Sequence, residues 1–349
     1  MGVGKETELS IRAKAPLRVS FAGGGTDVPP YPEREGGCVL NATITSYAYG
    51  TLQPRKDEQI RIVSLDYGVA VDYDRSEIPI YDGNLDLAKA AISRLGMVKV
   101  RGFDLLLHSE APPGSGLGAS SAVAVVLVGL LKEYGELSLT PYEIADLAYR
   151  VEREELQIAG GLQDQYAAAF GGFNFIEFLG DRVVVNPLRV RQDIINELEY
   201  SLLLCYTGKT RLSARIIDDQ VSRYKTHESE TVEGMRRLKE IAVEMKNALL
   251  LGELSAFGEL LDQAWRNKKK LSTRITSPFI EQMYEQARRD GALGGKITGA
   301  GGGGYLLLYC RPEQKHAVAQ RLKKMGGTVS DVSFSQFGLQ TWRGVSTSA

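Results

Sequence analysis

The chain has 349 residues, with 42 Lys+Arg against 43 Asp+Glu and 43% hydrophobic residues. This balance excludes a strong global field, so neither nucleic acid nor a membrane is an expected partner, and the length predicts two domains or one two-lobed unit with a sizeable core. Cys38, Cys205 and Cys310 lie far apart, as do His108, His227 and His316; with no long apolar run and no signal-like N-terminus, a reducing cytoplasmic location is expected and a disulfide framework or histidine-based zinc site is not.

In chain order, Ile11–Ala22 reads as extended and runs into Gly23–Gly25, and Cys38–Leu52 alternates as a strand. Gln59–Leu65 and Val69–Tyr73 follow as shorter strands, Leu85–Leu95 has helical spacing, and Arg101–Ser109 reads as a strand. A buried helix, apolar nearly all round, begins near Ser120. Thr140, Pro141 and Glu143 form a helix-start signal for a segment reaching about Gln157, and Leu162–Phe170 predicts more helix. Phe173–Phe178 and Arg182–Asn186 read as paired strands. The second half opens with an apolar strand at Tyr200–Tyr206, then four helices near Ser213–Tyr224, Glu228–Leu251, Glu253–Leu271 and Pro278–Arg289. The Lys268–Lys270 run reads as a solvated helix face or end. Tyr305–Cys310 is a strand, Pro312–Met325 a helix, and Thr328–Phe334 and Leu339–Arg343 are closing strands. The class is α+β, with domains expected at 1–190 and 191–349.

The 38 glycines exceed the usual share of about 7% and fall in clusters. Gly23–Gly25 is one, Gly114, Gly116 and Gly118 a second, and Gly294, Gly295, Gly299 and Gly301–Gly304 a third. Clustered glycine marks sharp bends or close backbone approach, and a glycine loop feeding a helix presents unpaired N–H groups to an anion. The Walker A template fails, because Ile297 follows Gly295-Lys296 and the leading position is Asp290. The dinucleotide template matches twice: at Gly299–Gly304 only in letters, because Tyr305–Tyr309 after it reads as a strand, and at Gly114–Ala119 with a strand before and a helix after, but another helix follows where a second parallel strand is required.

PPGSGLGASSA at Pro112–Ala122 instead closely resembles the phosphate loop of the GHMP kinases. APLRVSFAGGGTD at Ala15–Asp27 and KITGAGGGGY at Lys296–Tyr305 resemble that family's first and last motifs, in the same order. The AGGGTD form, VLNATI at Val39–Ile44, GGLQDQYAAAFGG at Gly160–Gly172 and TGKTR at Thr207–Arg211 are similar to the sugar-1-kinases of heptose 7-phosphate within it. Gly24 and Gly25 stand where galactokinases would show glutamate-histidine.

The resemblance implies a GHMP kinase fold, with a ribosomal-protein-like N-terminal α+β lobe and a ferredoxin-like C-terminal lobe. It implies ATP and Mg²⁺ as cofactors, a sugar phosphate as acceptor, and convergence of the three loops on one cleft. Pro113, Gly114, Ser115, Gly116, Leu117, Gly118, Ala119, Ser120 and Ser121 would hold the ATP phosphates. Ser120 and Glu152 would bind the metal, with Ser121 and Glu155 as alternatives. Asp164 would accept or orient the acceptor proton, and Arg18 would offset charge beside it. Gly24, Gly25, Thr26, Asp27, Gly301 and Gly302 would face the sugar, and Lys209 and Arg211 its phosphate. Gly160–Gly161 would set the approach of Asp164. Another family sugar such as fucose, or a catalytically inactive sugar-sensing relative, are the alternatives.

Overall fold

The computed structural model describes residues 8–74, 77, 80–97, 101–208 and 213–346. The first half runs β1 (Glu8–Ala22), α1 (Tyr31–Glu35), β2 (Gly37–Pro54), β3 (Gln59–Ser64), β4 (Val69–Asp74), α2 (Asp86–Arg94), β5 (Phe103–Ser109), α3 (Ala119–Tyr134), α4 (Pro141–Arg150), α5 (Gln163–Phe170), β6 (Phe173–Leu179) and β7 (Arg182–Pro187). The second half runs α6 (Gln192–Ser201), β8 (Leu202–Tyr206), α7 (Ser213–Lys225), α8 (Ser229–Leu251), α9 (Leu254–Lys269), α10 (Pro278–Arg289), β9 (Ala292–Ile297), β10 (Tyr305–Cys310), α11 (Pro312–Lys324), β11 (Thr328–Asp331) and β12 (Gln340–Ser346).

Among the described residues, eight strands form the first sheet, in the order β12-β1-β2-β5-β3-β4, with β6 also on β2 and β7 on β6. Ala15, Leu17, Val19 and Phe21 alternate along β1 and are fully buried, as the period of two demands of a core face. The opposite face is also covered, so Arg18 and Ser20 are almost fully buried too. A register irregularity between Pro16 and Arg18, and another between Ser20 and Ala22, bend β1 where it approaches the cleft. Helix α3 lies against this sheet. Leu127, Val128, Leu130 and Leu131 in it are fully buried, each a gain of about 1.5–3 kcal/mol.

The second sheet has the order β11-β8-β10-β9, all antiparallel. Numbered along the chain this is 4-1-3-2, with helices between the first and second and between the third and fourth strands, which is the ferredoxin-like arrangement.

Four sequence expectations change. Residues 192–201 fold as α6, because Ile194, Ile195 and Leu198 share one buried helical face, and the strand begins at Leu202 rather than Tyr200. Gly294 and Gly295 belong to strand β9, not to a loop. A Cβ at Gly294 would meet the Gly258 carbonyl oxygen of α9 at 1.9 Å, so glycine here permits helix-on-strand contact. The capped helix α4 does not continue regularly to Gln157; it widens into a π-helical turn at Val151–Glu155. Finally, the expected C-terminal unit does not keep its last strand, since β12 pairs antiparallel with β1.

Candidate active site

The glycine loop Pro112–Gly118 enters α3 with Gly114, Gly116 and Gly118 at φ of 74°, 81° and 74°, a left-handed backbone that favours glycine. Among the described residues no side chain caps α3, and no acid sits in its first turn, which leaves its N–H groups and positive dipole end available to an anion. The third loop closes over this one. The Tyr305 N–H donates to the Ser115 carbonyl at 3.1 Å, and a Cβ on Gly116 would meet the Thr298 carbonyl oxygen at 2.5 Å. The Ser115 hydroxyl, 1% exposed and lining the cleft, has no partner among the described residues.

Behind the loop stands Glu152, 1% exposed in the π-helical turn. The extra residue of that turn brings its carboxylate inward, where π-turns often serve a site. Oε1 accepts the Ser120 hydroxyl at 2.8 Å, and Oε2 accepts the Ser121 hydroxyl at 2.7 Å and Gln165 Nε2 at 2.5 Å. Both serine alternatives therefore meet one carboxylate. Glu155 is elsewhere engaged, accepting Arg94 at 2.8 Å.

Across the cleft, Arg18 Nε donates to Asp164 Oδ1 at 2.7 Å and Arg18 Nη1 to the Gly116 carbonyl at 2.6 Å. Arg18 is 3% exposed, whereas the Asp164 side chain keeps 22%, so the carboxylate still faces the opening. Gly118 packs against this pair in ordinary contact, a Cβ there lying 3.4 Å from Asp164 Cγ, so it is its left-handed φ of 74° that favours glycine.

Asp27 marks the other end. Its Oδ1 accepts the Gly25 N–H at 2.9 Å, and its Oδ2 accepts Gln163 Nε2 at 3.1 Å. Gly161 serves Asp27 rather than Asp164, because a Cβ on it would overlap Asp27 Oδ2. Gly24, Gly25 and Gly301 line this cleft. Thr26 and Gly302 do not. The Thr26 hydroxyl donates to the Gly23 carbonyl at 2.8 Å and accepts the Cys38 N–H at 3.1 Å, while the Gly302 N–H donates to Ile275 O at 2.6 Å. Leu117 is core, and Pro113 lines an adjoining pocket of about 510 Å³ shared at Ala119, Ser120 and Ile158. Lys209 and Arg211 lie outside the described residues.

Sequence reasoning missed Gln163, Gln165, Gln220 and two buried lysines. Lys268, read as a solvated helix face, is 4% exposed and donates to the Gly24 carbonyl at 2.9 Å. Burial pulls its pKa down to about 8, against the favourable charge of Asp27 and with help from Arg18. Lys296 is 2% exposed, donates to Ser20 O at 2.8 Å and is also pushed down, first by burial and then by Lys268. The missed signal was spacing: Leu254, Phe257, Leu261, Ala264 and Lys268 continue one buried stripe of α9.

Comparison with known proteins decides the family. Residues 85–172 match the GHMP kinases N terminal domain, and residues 245–328 match the GHMP kinases C terminal region. The chain is 40% identical over 338 residues to a Campylobacter jejuni D-glycero-alpha-D-manno-heptose 7-phosphate kinase, covering 96% of this chain and 99% of that one.

The chain belongs to the GHMP kinase family.

Membership makes it an ATP-dependent kinase. This GHMP kinase also superposes on a solved D-glycero-D-manno-heptose 1-phosphate kinase from Bacteroides thetaiotaomicron with a TM-score of 0.80 at 36% identity, over 95% of this chain and 98% of the other. A Lactococcus lactis galactokinase structure complexed with galactose shares the fold, with a TM-score of 0.77 at 21% identity over 96% and 95% of the two chains. Among the described residues of this GHMP kinase, no helix is long and apolar enough to cross a membrane.

Proposed function

We propose that this kinase transfers the γ-phosphoryl group of ATP to the anomeric hydroxyl of D-glycero-D-manno-heptose 7-phosphate. The product would be the 1,7-bisphosphate, a precursor for nucleotide-activated heptose. The observation that carries the substrate is the 40% identity, end to end, with a heptose 7-phosphate kinase. The cleft supports the chemistry, because it sets an anion-binding loop opposite an ionic Asp164–Arg18 pair with Asp27 beyond it.

The glycine loop and the α3 N-terminus bind the phosphates, with the unpartnered Ser115 hydroxyl as a further donor. The adjoining pocket beside Pro113 has room for the nucleoside. Asp164 accepts or orients the proton of the attacking hydroxyl, and Arg18 fixes that carboxylate and offsets charge on the group in transit. Asp27 accepts hydroxyl groups of the sugar. Lys209 and Arg211 are the sequence-based choice for the 7-phosphate.

Mg²⁺ fits the donor set. Ser120 Oγ and Glu152 Oε1 are hard oxygen donors on the cleft wall, and no larger His, Cys, Asp or Glu cluster stands among the described residues. When bound, the ion would supply charge neutralisation on the ATP phosphates. The division into lobes of 1–190 and 191–349 is retained as a proposal, with β12 returned to the first sheet.

An ATP-consumption assay over free sugars, including fucose, and sugar 7-phosphates tests the reading. Turnover of heptose 7-phosphate is expected. Turnover of free sugars alone overturns the substrate, and ATP binding without turnover of any acceptor overturns the kinase activity.

A further inference from the structure

Three side chains from the second half of the chain reach carbonyls of the first glycine motif. Gln220 of α7 donates to Gly25 O at 3.2 Å, Lys268 of α9 to Gly24 O at 2.9 Å, and Lys296 of β9 to Ser20 O at 2.8 Å. All three are less than 5% exposed. Two of them are lysines, yet no carboxylate is within hydrogen-bonding distance of either Nζ among the described residues. Desolvating a charge this fully without an ion-pair partner is costly, so a stabilising or functional return is expected.

The position of Lys268 shows what the return is. The Gly24 carbonyl and the Gly25 N–H belong to one peptide unit. Lys268 grips its oxygen while its N–H donates to Asp27 Oδ1 at 2.9 Å. Withdrawing electron density at the oxygen makes the N–H a stronger donor, as in any polarised hydrogen-bond chain. It also fixes the plane of a peptide flanked by two glycines, a unit with low intrinsic resistance to rotation. Gln220 holds the next carbonyl, and Gln163 holds the other oxygen of Asp27 at 3.1 Å.

We infer that Lys268 is a positioning residue for acceptor binding: from the second lobe it locks the Gly24–Gly25 peptide and through it aims the Asp27 carboxylate at the sugar. The inference rests on reading the Asp27 end of the cleft as the acceptor end. The grip is charge-assisted only while Lys268 carries its proton, and such bonds are stronger than neutral ones. The charged groups facing it are Asp27 from the loop after β1, Arg18 from β1 and Lys296 from β9. With its pKa lowered to about 8, Lys268 loses its charge as pH rises through that value, so the protonated, acceptor-competent form dominates below it.

The experiment compares the wild type with Lys268→Met, which preserves volume, and Gln220→Leu, which loosens the same loop without a titrating group. The acceptor is whichever sugar phosphate the wild type turns over. In the wild type, kcat/KM for the acceptor should fall above about pH 8, while kcat/KM for ATP at saturating acceptor should not. Lys268→Met should raise the acceptor KM by about tenfold or more with little change in ATP KM, and should abolish the alkaline fall. Gln220→Leu should raise acceptor KM less and keep the alkaline fall. An unchanged acceptor KM and pH profile in Lys268→Met overturns the inference, as does an equal rise in both KM values. Should Lys268→Met not fold, the absence of an acceptor-specific alkaline fall in the wild type overturns it alone. A wild-type chain that turns over no sugar overturns the functional reading and this inference with it, a result distinct from an active wild type with an indifferent Lys268.

Discussion

The two ends of the cleft are built in different ways. The proposed phosphate end is contiguous: Gly114 to Ser121 supplies the loop, the open helix terminus and the three hydroxyls of Ser115, Ser120 and Ser121, and one remote turn adds Glu152. The proposed acceptor end is assembled from Gly24–Asp27, Gln163, Gln220 and Lys268, which come from four distant segments and both halves of the chain. An anion asks only for N–H groups and a dipole, which one local backbone motif supplies. A sugar asks for directional groups at several points around it, and no short segment can surround it.

The largest expected effect lies where the two ends meet. Asp164→Asn keeps shape but removes the anion beside Arg18, and kcat should fall about 10²–10⁴-fold with ATP KM nearly unchanged. A kcat close to wild type would take Asp164 out of the chemistry and leave the ends as two binding sites only. Next comes Glu152→Gln, which weakens the node joining Ser120, Ser121 and Gln165. It should raise the Mg²⁺ concentration for half-maximal rate about 10–100-fold and leave sugar KM alone. A metal titration curve that overlays the wild type would assign Glu152 to structure. Gly116→Ala should lose about 1–3 kcal/mol of stability in urea unfolding and raise ATP KM, since alanine strains at φ 81° and meets the Thr298 carbonyl. Smallest in activity is Thr26→Val. Losing buried hydroxyl bonds to Gly23 and Cys38 should cost about 1–3 kcal/mol of stability and barely move either KM. A large rise in acceptor KM would return Thr26 to the sugar.

The same contrast explains what was legible beforehand. Periodicity and caps located β1, α3 and the start of α4, because local preference and burial agree there. The loop ahead of α3 was legible as a bend because its backbone turns left-handed at alternate positions, Gly114, Gly116 and Gly118. Arg18 stood out as a charge among apolar neighbours. Lys268 did not, because two further lysines follow it and a charged run ordinarily marks a solvated face. Gly294 and Gly295 misled because glycine that admits a neighbouring helix, as Gly294 admits α9, or lies tight against a neighbouring strand, as Gly295 does against β10, looks the same as glycine that turns a loop. Gly161 was assigned to the wrong aspartate for a similar reason: proximity in sequence favoured Asp164, while the fold brings Asp27 from far upstream. The π-helical turn at Glu152 has no signal in its letters; it follows from a carboxylate meeting partners on α3 and α5.

The pairing of β12 with β1 bears on how the molecule is made. Glu8 lies opposite Ser346, and the register runs to Lys14 opposite Gln340. Because a ribosome releases the chain from its N-terminus, β1 waits for β12 until the ten strands between them have been made, with one side of β1 open through that time. Trimming the chain before Gln340 would leave the same open edge permanently and favour aggregation. Linking Ser346 to Glu8, which lie opposite each other, and opening the chain at an exposed turn such as Gly180–Asp181 would instead give a permuted protein in which β12 and β1 are consecutive strands and pair before β2 is made.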